Sequence, residues 1–123
     1  MNRILLRVGG VVNALFVIFH MWLGYRIHTS PGIAVGNRPL MEMLNVGGVL
    51  IILLFAVSSL CYAEEMLGTK LGRVMLLFVF LFYGSRAAEE LIISPRFSPA
   101  IFTICALLAG LYFVLYIRTR KPA

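Results

Sequence analysis

Six residues in this sequence combine chemical capability with an apolar setting: His20, Glu42, Asn45, Arg86, Glu89 and Glu90 all lie within long hydrophobic stretches. Ionisable groups are costly inside a membrane, so their positions are the best lead to function in such a chain. Arg86 and Glu90 stand four residues apart, the spacing of an ion pair along one helix, and Glu89 stands three from Arg86. The plain reading is a structural pair that locks one helix to its neighbours. The functional reading starts from the surplus. Two adjacent carboxylates cannot both be satisfied by one guanidinium, and the one left over could carry a proton or bind a cation.

His20 is followed by Gly24 and His28 at spacings of four. Eight residues of helix separate the two imidazoles by ~12 Å, too far for one metal ion. Haem held by two histidines would need a symmetric dimer to bring a second His20 to the same depth. A single histidine in a membrane helix is more ordinarily a hydrogen-bonded helix contact. The alternative is ligand binding or proton handling together with Glu89 or Glu90.

The rest of the sequence narrows the chemistry. All five acids are glutamates, namely Glu42, Glu64, Glu65, Glu89 and Glu90. Without aspartate, a carboxylate-rich metal or phosphoryl-transfer site is not expected. Gly-x-Ser-x-Gly, His-Glu-x-x-His, Walker and Cys-x-x-Cys motifs are all missing. The sequence therefore nominates no catalytic residue and no metal ligand, leaves any cofactor open, and favours a non-enzyme.

The elements that must position these residues follow from composition. The chain has 123 residues, of which 61% are hydrophobic, and a mean hydropathy of +0.96. Soluble domains are about 45–50% apolar, and a domain this small has too much surface to hide the excess. Lipid removes that constraint. Four apolar runs, about 4–25, 41–63, 71–93 and 100–117, are each long enough to cross ~30 Å of hydrocarbon as a helix. Backbone polar groups in lipid must be satisfied within their own segment, which selects helices over open strands.

Turn chemistry separates the runs. His28-Thr29-Ser30-Pro31-Gly32 leads to Gly36-Asn37-Arg38-Pro39, with Pro39 suited to a first helical position. Gly68-Thr69-Lys70 offers a helix stop and then an N-cap, and Ser94-Pro95-Arg96-Phe97-Ser98-Pro99 repeats the pattern before the last run. Connections this short make neighbours antiparallel. The expected fold is all-α: one domain over 1–123, an integral-membrane four-helix bundle running up-down-up-down. The first run resembles a signal peptide, with Arg3 and Arg7 before an apolar stretch, but no small-residue cleavage site follows Trp22, so it is expected to stay as a helix.

Basic residues set the orientation. Arg3, Arg7, Lys70, Arg73, Arg118, Arg120 and Lys121 share one side, against Arg26, Arg38, Arg86 and Arg96 on the other. Both termini should face the cytoplasm, with Arg86 inside the membrane rather than in a loop. His20, Asn45, Glu42, Arg86, Glu89 and Glu90 then fall at similar depth in the outer half and could converge on one pocket opening outward. The net charge of +6 is that of headgroup anchors at the ends of apolar runs, not of a nucleic-acid binder.

The remaining features read as architecture. Cys61 and Cys105 differ too much in depth to be bridged and are expected as packing residues. Val8-Gly9-Gly10-Val11 and Val46-Gly47-Gly48-Val49 supply small residues for close helix approach. Glu64 and Glu65 read as solvated loop charges. Trp22, Tyr25 and Tyr62 suit the interfacial belts, and Tyr83, Tyr112 and Tyr116 suit packing or belt roles.

The stretches Phe19-His20-Met21-Trp22, Asn37 to Asn45, Thr69-Lys70-Leu71-Gly72-Arg73 and Tyr83-Gly84-Ser85-Arg86-Ala87-Ala88-Glu89-Glu90 resemble small bacterial four-helix membrane proteins of the DoxX-like class. The resemblance spans most of the chain. It implies the four-helix fold and a bacterial inner-membrane location, and it transfers no catalytic residue.

The function expected from the sequence is therefore ligand binding at an outer polar pocket, by an accessory or non-catalytic protein. A quinone, a lipid or a cation would suit. Alternatives are a structural subunit of a larger membrane complex and a proton-coupled carrier working as a homodimer. A lipid-modifying enzyme using His20 and a glutamate would need a substrate cavity between the first and third runs.

Overall fold

The computed structural model describes residues 2–29, 31, 38–92 and 99–119, and the Arg38 side chain is not among the described groups. The turn residues expected at 30, 32–37 and 94–98, with Arg96, Arg120 and Lys121, lie outside the described residues. Five helices follow one another: α1 (Asn2–Thr29), α2 (Arg38–Cys61), α3 (Ala63–Gly68), α4 (Lys70–Ile92) and α5 (Pro99–Arg118). The protein is an all-α bundle. α1, α2, α4 and α5 are long and apolar enough to cross a membrane, the mark of a multi-pass membrane protein.

The long helices outrun the apolar runs that announce them. α1 continues past Tyr25 through Arg26, Ile27 and His28 to Thr29. Hydropathy tracks the apolar part of a helix, whereas the backbone ladder continues into polar sequence. There Thr29 Oγ1 donates to the Tyr25 carbonyl at 2.9 Å. α2 begins at Arg38, with Pro39 in its first turn, and ends at Cys61 rather than at residue 63.

α3 replaces the expected loop. Tyr62 leaves helical geometry (φ −121°, ψ 36°), and the chain turns into one short helix before α4. Glu64 and Glu65 are thus helical, though exposed as expected, and Glu64 pairs with Arg3. Thr69 ends α3 and caps α4, its Oγ1 accepting the Gly72 N–H at 2.9 Å. Gly72 makes the sharp return possible. A Cβ there would strike the Glu65 carbonyl and the Met66 backbone.

Arg118 Nη1 donates to Asn2 Oδ1 at 3.2 Å, placing the start of α1 beside the end of α5. With the Arg3–Glu64 pair, these contacts define a terminal end of the bundle. The opposite end holds the start of α2 and the end of α4. Tight packing runs within the pairs α1–α2 and α4–α5, and the pairs meet along α1–α5 and through α3. α2 and α4 stand further apart.

A central core of Leu6, Phe55, Leu76, Val79, Leu108 and Leu115 is closed to solvent. Only 22–28% of each spanning segment is buried inside the bundle. Many apolar side chains face outward, including Leu15, Ile18, Leu50, Leu53, Leu71 and Leu107. That surface is untenable in water and cost-free in lipid.

Candidate functional site

The first polar cluster ties all four long helices together in the terminal half. Asn13 of α1 is fully buried. Its Nδ2 donates to the Gly9 carbonyl at 2.8 Å and to Tyr112 Oη of α5 at 3.0 Å, and its Oδ1 accepts from the Tyr83 hydroxyl of α4. Tyr112 Oη in turn lies 2.8 Å from Ser59 Oγ of α2, and Ser59 Oγ contacts Met66 Sδ at 3.9 Å. Every side-chain polar atom in this network has a partner, the condition under which a buried polar cluster rigidifies a core.

Gly9 and Gly10 explain why α1 can come so close. A Cβ on Gly9 would lie 2.7 Å from Tyr112 Oη, and one on Gly10 would lie 2.7 Å from Leu60 Cγ. The first glycine pair is thus the close-approach site expected of it. The second is not: a Cβ added to Gly47 or Gly48 would meet nothing within 4 Å. The network also settles two roles left open by the sequence, since Tyr83 and Tyr112 are buried rather than interfacial. Neither Asn13 nor Ser59 was legible as special, because an isolated small polar residue in an apolar run carries no spacing signal.

Five of the six residues singled out from the sequence fall in three pairs in the opposite half, with His28 as the sixth member, and Glu89 stands outside them. In the first, His20 and Asn45 clasp α1 to α2. Asn45 Nδ2 donates to the His20 carbonyl at 2.9 Å, and His20 Nδ1–H donates to Asn45 Oδ1 at 3.1 Å. Because a carbonyl oxygen only accepts, Nδ1 carries the proton in this contact. Gly24 leaves room for the clasp, since its Cβ would lie 2.8 Å from Asn45 Nδ2.

A turn further out, His28 Nδ1 donates to Glu42 Oε1 at 2.8 Å. The third pair is within α4, where Arg86 Nη1 reaches Glu90 Oε2 at 2.9 Å. Glu90 is only 3% exposed and Arg86 41%. Glu89 lies on the exposed side of α4 and, among the described residues, has no ion-pair partner. The surplus carboxylate is therefore Glu89.

Two cavities adjoin these pairs, and Arg86 lines both. The smaller, ≈ 80 Å³, lies among all four long helices and is lined by His20, Tyr83, Arg86 and Cys105 among apolar groups that include Ile52 of α2. It has room for about two waters. It is too small for the lipid substrate that an enzyme acting between α1 and α4 would have to admit. The larger, ≈ 530 Å³, is the gap between α2 and α4. Ile51, Leu54 and Phe55 wall it on one side, Phe78, Leu81 and Phe82 on the other, with Ser85, Arg86 and Glu89 at its outer end. Ligand sites commonly fall at ~300–1,000 Å³, apolar with a few convergent polar groups.

The expected convergence is thus partial. His20 and Arg86 share the small cavity, Arg86 and Glu89 share the groove, Asn45 and Glu90 are the partners of His20 and Arg86, and Glu42 pairs apart with His28. Cys105 is packed as expected, but Cys61 is exposed, because α2 ends there at the rim of the bundle. Trp22, Tyr25 and Tyr62 are exposed near helix ends, and the Arg26 guanidinium lies 5.5 Å over the Trp22 ring. Among the described residues, no three His, Cys, Asp or Glu side chains gather as a metal site would require. No family model matches the sequence, and no match is found among curated proteins or solved structures.

Proposed function

We propose that this protein binds a small amphiphile in the groove between α2 and α4, as a non-catalytic or accessory membrane component. The observation that carries the reading is the composition of the ≈ 530 Å³ groove: an apolar trough ending in Ser85, Arg86 and Glu89. Exposed Leu54, Phe78 and Leu81 line it, so it opens sideways to the surrounding lipid. A ligand dissolved in the bilayer can enter without crossing the aqueous phase.

Native mass spectrometry of protein released from mild detergent tests this reading. The expected result is a stoichiometric small-molecule adduct that is lost in Leu54→Trp, where added bulk fills the trough. A bare chain, or an adduct indifferent to Leu54→Trp, counts against it. The excess of Arg and Lys at the terminal end further supports insertion in a bacterial inner membrane with both termini cytoplasmic. Cys61 at that end should then resist a membrane-impermeant maleimide in intact cells and react in inverted vesicles.

A second reading, a structural subunit of a larger assembly, draws on Gly47 and Gly48. They open a helix surface with nothing against it, and small residues of this kind are common where membrane helices meet. A stoichiometric protein partner in the same spectrum would favour it.

A further inference from the structure

The three polar groups at the outer end of the groove carry information about what binds there. Arg86 and Glu90 neutralise one another, with Glu90 on the buried side. Glu89 adds a negative charge that no described cation answers, and it lines the groove beside Arg86. The polar end therefore presents a cation and an anion side by side, with one carboxylate in excess.

The geometry points to an aminophospholipid: a lipid whose headgroup carries a phosphate and a primary ammonium, held with its phosphate at Arg86 and its ammonium at Glu89. This deepens the amphiphile reading and rests on it. Arg86 and Glu89 are three residues apart on one helix, which puts their Cβ atoms about 5–6 Å apart on the same face. The two charges of a phosphoethanolamine group are separated by a two-carbon bridge, a span that two side chains so placed can bracket. A guanidinium retains donors for a phosphate while it pairs with a carboxylate, because its five N–H groups exceed what one carboxylate can accept. An ammonium supplies three N–H donors to Glu89. The Ser85 hydroxyl, also in the groove wall, can donate to the same headgroup.

The other amphiphiles fit less well. A lipid with only a negative headgroup would set that charge against Glu89. A quinone has no charge to offer either group. Depth agrees with a lipid seat as well. Glu89 lies eight residues beyond the midpoint of α4, ~12 Å from the bilayer centre toward the end opposite the termini. Long side chains reach outward from that depth to the headgroups. From Glu89 to Met75 the groove follows fourteen residues of α4, ~21 Å, the run of an acyl chain from its headgroup past the bilayer midplane. Apolar side chains wall that length.

The test uses the full chain in mild detergent with an equimolar mixture of phosphatidylethanolamine and phosphatidylglycerol, and native mass spectrometry to count the lipid retained. The parent should keep phosphatidylethanolamine over phosphatidylglycerol by about tenfold, the worth of one charge-assisted hydrogen bond. Glu89→Gln keeps the shape of the site and removes its charge. It should bring that preference close to unity while lipid is still retained, with helicity and thermal midpoint matching the parent. Equal or preferred retention of phosphatidylglycerol by the parent, or a preference that survives Glu89→Gln, overturns the aminophospholipid assignment and leaves the amphiphile groove standing. No retention of either lipid, or retention indifferent to Leu54→Trp, overturns the groove itself and the assignment with it.

Discussion

Replacing Asn13 with leucine probes the element on which the bundle most depends. The substitution keeps the number and branching of the side-chain heavy atoms and deletes both polar atoms. Asn13 makes two bonds between helices, one to Tyr112 Oη at 3.0 Å and one from the Tyr83 hydroxyl. Interhelical hydrogen bonds in membrane proteins average ~0.6 kcal/mol and reach ~1.7. A buried hydroxyl left without an acceptor, as Tyr83 would be, costs about 1–3 kcal/mol. The two terms overlap, so the expected loss is about 2–4 kcal/mol, a large share of the roughly 5–15 kcal/mol that holds a typical domain. Tyr83→Phe removes one bond and leaves Asn13 Oδ1 unanswered, for a loss of about 1 kcal/mol. The suitable assay is equilibrium unfolding by SDS in mixed micelles, followed by near-UV circular dichroism of the buried tyrosines. A double-mutant cycle on Asn13→Leu and Tyr83→Phe should return a coupling of about 1 kcal/mol. If Asn13→Leu lies within ~0.5 kcal/mol of the parent and the cycle shows no coupling, the network does not hold the helices together.

Three further outcomes follow from the geometry. Gly9→Ala should destabilise by about 1–3 kcal/mol, because its Cβ would collide with the Tyr112 ring. Gly48→Ala, with open space around it, should be neutral or stabilising by up to ~1 kcal/mol through helix propensity. The same unfolding assay separates the two. Glu90→Gln should cost about 1–3 kcal/mol, less than a fully buried pair because Arg86 is partly exposed, whereas Glu89→Gln should stay within ~0.5 kcal/mol. In detergent, Cys61 should take up a maleimide rapidly and Cys105 only after unfolding, as read by intact mass.

Hydropathy carried most of the fold, because the demand for some twenty apolar residues per crossing is written directly into composition. It misplaced helix ends where polar residues continue the ladder, as at Arg26 to Thr29, and it missed α3, a helix too short to have a period. The site was half legible. Charged residues in lipid stand out individually, so His20, Arg86, Glu89 and Glu90 could be named, and the i,i+4 rule identified the Arg86–Glu90 pair. The partners His20–Asn45 and His28–Glu42 depend on how α1 is rotated against α2, and a helix apolar on every face does not encode its own rotation.

The two halves of the bundle solve opposite problems, and the location of the glycines decides which half does which. At the terminal end Gly9 and Gly10 let α1 sink onto Tyr112, Ser59 and Leu60, so that one asparagine reaches α4 and α5 together. Around Asn13 every polar side-chain atom of the network is answered within the bundle, which leaves the network itself nothing to offer a ligand. Toward the other end the His20–Asn45 and His28–Glu42 contacts join α1 to α2 and the Arg86–Glu90 pair lies within α4, so these three pairs leave α2 and α4 untied. A gap between two helices in lipid is filled by whatever the bilayer supplies. Because Arg86 and Glu89 stand at its outer end, the groove presents charge as well as shape to whatever enters it. A tightly joined half and an open groove thus follow from one uneven distribution of small and polar residues along four apolar helices.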